Sequence, residues 1–221
     1  MDKFFKKHSN FWTDKDIITH MTLSVILLIL SLLITYFAVR YTNNHSGNIA
    51  SDILLDNLPV IQVGLIFFQG AFLFLIILLG IGVFEPRYIP FVMESSAIFF
   101  LVRAVFMIMT HLSPPSVEYY NYVQHEHRAP EVLFTLSSGN DLFFSAHAGY
   151  PFLLAVIFWK VKYLRYFFLI CSLIGSVAVI LGHLHYSIDV FSAFFIAFGV
   201  FSISKLLFRR EYKLLEPEVV I

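Results

Sequence analysis

The stretch "IITHMTLSVILLILSLLITYFAV", residues 17–39, holds twenty-three consecutive residues without an Asp, Glu, Lys or Arg. At 1.5 Å per residue it is long enough to cross about 30 Å of hydrocarbon as one helix. A cleaved signal peptide is the competing account. The run is too long for a signal core and no small-residue cleavage site follows it, so it reads as a retained span. Similar runs follow at 60–84, at 88–112 with Glu94 and Arg103 inside it, and at 142–159, 163–182 and 187–208. The expectation is an all-α, polytopic membrane protein with six transmembrane helices: a 1–16 N-terminal segment, a 17–208 membrane domain and a 209–221 tail. No further domain is expected before the first span.

Composition agrees. Hydrophobic residues make up 58% of the chain, charged ones 14%, and Phe occurs 26 times in 221 residues, more than a water-soluble domain of this size can bury. A formal net charge of zero argues against a nucleic-acid partner. Cys171 is the single cysteine, so no disulfide framework exists.

Orientation follows from Lys and Arg, which accumulate in cytoplasmic loops. Lys3, Lys6, Lys7 and Lys15 precede the first run, and Arg87 lies between the second and third. Lys160, Lys162 and Arg165 lie between the fourth and fifth; Lys205, Arg209, Arg210 and Lys213 close the sixth. The alternate loops hold Arg40 and Arg128. Both termini are therefore expected in the cytoplasm.

Chemistry gathers on the opposite, non-cytoplasmic face. In "HYSIDV", residues 185–190, His185 and Asp189 stand four apart and stack on one face of an entering helix. A carboxylate there takes the hydrogen bond of one imidazole nitrogen and leaves the other as nucleophile or base. The bland alternative is an interfacial helix cap. In "GNDLFFSAHAGY", residues 139–150, Gly139, Asn140 and Asp141 read as turn and N-cap, with His147 about two turns into the fourth helix. Such a helix start offers amides and partial positive charge to an anion. Alternatively, His147 is a histidine satisfied by a neighbouring helix. Arg103, deep in the third run, is either a functional cation or a packing residue paired with Glu94 or another carboxylate. Facing the histidines, it would offer positive charge to a phosphate.

"GNDLFFSAH" and "HLHYSIDVFSAFF" (183–195) resemble the third and fourth motifs of the sphingomyelin synthases, a branch of the type 2 phosphatidic acid phosphatase (PAP2) superfamily. "LVRAVFMIMTHLSPP", residues 101–115, resembles their arginine-containing motif, and "DNLP", residues 56–59, their first. The resemblance spans about 50–205 and implies the six-helix order. It implies a lipid headgroup phosphotransferase with a phospholipid donor, a ceramide or diacylglycerol acceptor, and no cofactor or metal. His185 would be the nucleophile, Asp189 its orienting partner, and His147 the acid and then the base. Arg103, Asp141, His183 and Ser145 match further positions around the substrate.

Departures from the pattern matter. The family's Ser-Gly-His-Thr is here Ser145, Ala146, His147 and Ala148, and the Lys and Arg-Pro motif of the phosphatases has no counterpart. A phosphatase or phospholipase C-type hydrolase using water stays open, as does a transporter or scaffold that has lost the chemistry. The long 113–140 loop holds Tyr119, Tyr120, Tyr122, His125 and His127, either a choline cage or ordinary interfacial anchors. His125 with His127, and His183 with His185, raise a zinc site, but no Cys or carboxylate completes the ligand set.

Overall fold

The computed structural model describes residues 12–45, 47–116 and 142–215. Its long elements are α1 (Lys15–Asn43), α2 (Ala71–Phe84), α3 (Ile89–Thr110), α4 (Ala146–Ile157), α5 (Lys162–Leu181) and α6 (Ser187–Leu207), followed by a short α7 (Arg209–Lys213). A π-helical run, Leu65–Gly70, leads into α2, and a 3₁₀ turn, Pro86–Tyr88, leads into α3. No strand occurs among the described residues.

Four helical stretches are long and apolar enough to cross a membrane: Lys15–Asn43, Pro86–Thr110, Lys162–Leu181 and Ser187–Leu207. The other two expected spans are shorter. The regular α-helix of α2 has 14 residues because its first turns are π-helical. The 12 residues of α4 start at Ala146, four later than the apolar run suggests. The expected cap at Gly139–Asp141 is thereby corrected: Ser145 is the N-cap and His147 lies in the first turn rather than two turns in. Phe143 and Phe144 have φ of 97° and 40°, a backbone that cannot continue a right-handed helix upstream of Ser145.

Burial is arranged for a solvent of lipid. On α1, Leu23, Ile26, Ile29, Leu30, Leu33, Ile34 and Phe37 point outward, whereas Ser24, Ser31, Thr35, Ala38 and Thr42 face inward. Small inward residues let helix backbones approach, and their hydroxyls find partners across the seam. Along the α1–α3 contact, the Ser24 hydroxyl donates to Glu94 Oε1 at 3.0 Å and Thr35 to the Phe100 carbonyl at 3.3 Å.

Helix α4 sits between α5 and α6. Two glycines set that approach. A Cβ on Gly175 of α5 would lie 2.3 Å from the His147 carbonyl oxygen, and one on Gly149 of α4 would lie 3.1 Å from the Ala193 Cβ of α6. Ser172 of α5 donates to the Ala148 carbonyl at 2.7 Å.

The two ends of the bundle differ. At one end the start of α1 meets α7: Arg210 bonds Asp16 at 3.1 Å, and His20 Nδ1 lies 2.5 Å from Glu211. At the other, Tyr186 joins three connections, because its hydroxyl donates to the Ser113 carbonyl at 2.8 Å and accepts from the Ala50 amide at 3.0 Å. Asp52 caps α6 from a distant loop, with Oδ2 accepting from the Ser187 amide at 2.6 Å and Oδ1 from Leu54 at 2.9 Å. Burial alone would raise the Asp52 pKa. The Ser187, Leu55 and Leu54 hydrogen bonds outweigh it and hold the carboxyl below its ordinary value.

Two expectations follow. In a Cys171→Ser background, a cysteine at Ser116 should react with an impermeant thiol reagent added outside cells and one at Lys162 should not; the reverse pattern overturns the orientation argued from charge. Asp52→Ala should lower thermal stability in detergent by about 1 kcal/mol, the usual cost of a lost cap. A carboxyl held low stabilises the fold above its unfolded pKa and loses that contribution as pH falls through its folded one. Wild type and variant should therefore converge in unfolding scans at strongly acidic pH, and a constant gap would sink the assignment.

Candidate active site

The site is assembled at the Tyr186 end from the starts of α4 and α6 and the end of α3. His185 is 3% exposed and Asp189 is fully buried. His185 lies just before the Tyr186 N-cap and so outside the helix on whose face the spacing placed it, yet its Nδ1 still stands 3.3 Å from Asp189 Oδ2. The same oxygen accepts the Tyr186 backbone N–H at 3.1 Å, so the carboxylate caps its own helix while facing the imidazole. The cap reading and the orienting reading therefore describe one carboxylate. With Nδ1–H donated to Asp189, Nε2 holds the free lone pair.

The first turn of α4 is tied to the same residue. The Ser145 amide donates to the Asp189 carbonyl at 2.9 Å, which brings the two motifs into register across more than forty residues of chain. His147 follows two residues later, close enough to His185 and Arg103 to interact with both electrostatically. One wall of its surroundings is an apolar cleft of about 450 Å³ between α2, α4 and α5, lined also by Phe74, Phe100, Tyr150 and Cys171. The Tyr150 hydroxyl is paired with Ser96 at 2.9 Å.

Arg103 is 2% exposed. Its Nε donates to the Phe144 carbonyl at 3.4 Å, whereas Glu94 bonds Ser24 and lies near Glu211. Pairing between Arg103 and Glu94, one of the two packing alternatives, is thus replaced by a contact with the strained turn. Thr110, two turns further along α3, donates to the Leu142 carbonyl at 3.2 Å. Phe106 stacks on Phe143 at 5.0 Å and Phe99 meets Phe144 edge-on at 5.3 Å. One stripe of α3, at residues 99, 103, 106 and 110, therefore grips the left-handed turn that aims Ser145 and His147. Strain of this kind persists where the surroundings over-determine it, and it gathers at functional sites.

His183 lies between α5 and α6 with φ of 49°. Its Nε2 is buried without a hydrogen-bond partner among the described residues, as are Ser145 Oγ and Asp189 Oδ1. Unsatisfied buried polar atoms in a native fold call for an explanation, and a polar ligand is one. Asp141 lies outside the described residues, as do Tyr119, Tyr120, Tyr122, His125 and His127. Sequence reasoning missed Asp52 and Tyr186, whose hydrogen-bond partners are 135 and 136 residues away. It also missed Phe67, whose ring stacks on His147 at 4.0 Å. No local pattern marks any of the three.

Comparison with known proteins gives a coarser result than the motifs. No curated protein and no solved structure matches the chain. Residues 138–206 match the family model described as PAP2 superfamily C-terminal. The stretch that carries His147, His185 and Asp189 is therefore similar to the C-terminal part of that superfamily.

Proposed function

We propose that the protein is an integral membrane phosphotransferase that moves a phosphate-linked headgroup between lipids through a phosphohistidine on His185. The observation that carries this reading is the position of His147. It lines an apolar cleft suited to lipid tails and lies within electrostatic reach of a buried His–Asp pair and a buried arginine. The superfamily match over 138–206 supports phosphatase or phosphotransferase chemistry on lipids. The sphingomyelin synthase-like assignment rests on the motifs alone.

In the first half-reaction, His185 Nε2 attacks the donor phosphorus and the bond from phosphorus to the diacylglycerol oxygen breaks. The leaving oxygen takes a proton from His147, while Asp189 holds His185 Nδ1–H and stabilises the positive charge that develops on the ring. Arg103 supplies fixed positive charge to the phosphoryl oxygens, and the unpaired amides at the start of α4 add partial charge. In the second half-reaction an acceptor hydroxyl gives its proton to His147 and attacks phosphorus. The phosphorus–nitrogen bond breaks and His185 is regenerated. Ceramide or diacylglycerol is the acceptor in transfer. Water in its place gives the hydrolase.

The test is incubation of the purified protein with headgroup-labelled phospholipids, with and without ceramide or diacylglycerol. A new labelled lipid that depends on the acceptor is expected, with some released phosphoalcohol. Release at full rate with no transfer product replaces the transferase by the hydrolase, and no reaction on any donor favours the non-catalytic scaffold.

His185→Ala should abolish turnover and any acid-labile phosphoenzyme. His147→Ala and Asp189→Asn should each lower kcat by about 10²- to 10⁴-fold in folded protein, the range of acid–base contributions. Arg103→Lys should lose less, because charge is kept and the guanidinium fork is not. Full activity in any of the first three variants removes that residue from the mechanism.

A further inference from the structure

His185 has a visible orienting partner in Asp189. An acid–base histidine needs one as well, because the nitrogen that exchanges protons with substrate must be the one facing it. The described surroundings of His147 supply a backbone group in that role. The Phe67 backbone lies close enough to the imidazole for its carbonyl to accept an N–H. The Phe67 ring lies over the imidazole with centroids 4.0 Å apart and planes 25° apart.

Phe67 is in the π-helical run Leu65–Gly70, the only π-helix among the described residues. A π turn holds more residues than an α turn, so it shifts side chains and carbonyls out of the α-helical register, and such turns are frequent at functional sites. The segment is anchored from both sides. On one side the chain just before it is tied to α5, where the Ile61 amide donates to the Leu181 carbonyl at 2.8 Å. On its other side, His147 meets Gly175, where a Cβ would lie 2.3 Å from the His147 carbonyl oxygen and 3.5 Å from its Cβ. The histidine is thus held between the π turn and the bare backbone of α5.

We propose that the π-helical turn before α2 is the positioning element of His147, its Phe67 carbonyl fixing the protonated nitrogen and its Phe67 ring fixing the plane, so that the other nitrogen is presented to the reacting oxygen. Phe67 touches no substrate atom in this account; it acts through His147. The proposal rests on the acid–base role given to His147 above. It also explains how the site works with Ala148 after the histidine, because orientation comes from a backbone carbonyl and needs no neighbouring hydroxyl.

Three variants test it. Deletion of Phe68 removes the extra residue of the π turn and swings Phe67 by about 100° relative to α2. Phe67→Leu keeps the carbonyl and removes the ring. Gly175→Ala pushes the His147 backbone away from the π turn without altering that turn. The direct readout is independent of turnover: ¹⁵N NMR of histidine-labelled protein, with the His147 signal identified by its loss in His147→Gln. At a pH where His147 has lost the proton it gives to the leaving oxygen, wild type should show one fixed neutral tautomer, and the deletion and Gly175→Ala should show averaged tautomers. With headgroup transfer as the assay, the deletion should lower kcat by about 100-fold, the low end of acid–base contributions. It should leave the donor KM within about threefold, because positioning for the chemical step is lost and ground-state binding is not. The kcat limb that is absent in His147→Ala should move along the pH axis. Phe67→Leu should lose only a few-fold, with the pH profile unchanged.

The proposal is wrong if the folded deletion variant keeps both the fixed tautomer and the wild-type pH profile. Should the deletion fail to fold, the same pair of results in Gly175→Ala decides against it. A fixed tautomer in a wild-type protein that transfers no headgroup would instead overturn the phosphotransferase reading and leave the geometry of His147 standing.

Discussion

The arrangement depends on how closely α4 approaches α5 and α6. Gly175 and Gly149 remove the side chains that would stand between the backbones, and any larger residue at 175 would collide with the His147 carbonyl. In a bilayer no hydrophobic force pulls helices together, since lipid tails are as apolar as leucine. Close packing and interhelical hydrogen bonds supply the association instead. The Ser172 to Ala148 bond and the Ser145 to Asp189 bond are of that kind. They fix the depth at which α4 begins, and with it the height of His147 relative to His185.

That constraint explains why α4 is short. Wrapped by neighbours along most of its length, it can give up its first expected turn to an irregular segment whose carbonyls are taken by Arg103 and Thr110. Non-helical backbone at membrane depth is tolerated only where protein or water meets its polar groups. Arg103 therefore has two roles that reinforce each other. It satisfies the Phe144 carbonyl of the left-handed turn and places a permanent cation beside the histidines. The cost of burying a guanidinium is offset by the backbone it satisfies and, in the proposed reaction, by the phosphate it faces.

The two histidines are oriented by different means. His185, just before the N-cap of α6, is met by the carboxylate of that helix's third residue, a contact local to one helix start. His147, in the arrangement proposed, is served by a carbonyl from the turn before another helix, made available by a change of helical register. The first is local and sturdy; the second depends on α2 keeping its place against α5. The apolar cleft lies between those same helices, and His147 is part of its lining. A lipid entering there would meet the element proposed to aim His147.

Much of this was legible in the chain itself. Apolar runs located the helices because hydrocarbon imposes a length and a composition that loops cannot imitate, and the His185–Asp189 pair was legible because four residues keep both groups at one helix start. His147 and Arg103 stood out as a histidine near a helix start and a cation inside a span, and the motif resemblance suggested roles for them. The start of α4 was not legible: the apolar run continues through Phe143 and Phe144, and only the grip of α3 turns those residues left-handed. Neither were Asp52, Tyr186 and Phe67, since each acts on a residue at least eighty positions away through a hydrogen bond or ring contact that no spacing encodes. Sequence determines what lies within one turn of helix and what lipid will accept. Tertiary structure alone decided which distant backbone groups meet the site, because unpaired polar groups in a membrane take the partners that packing brings to them.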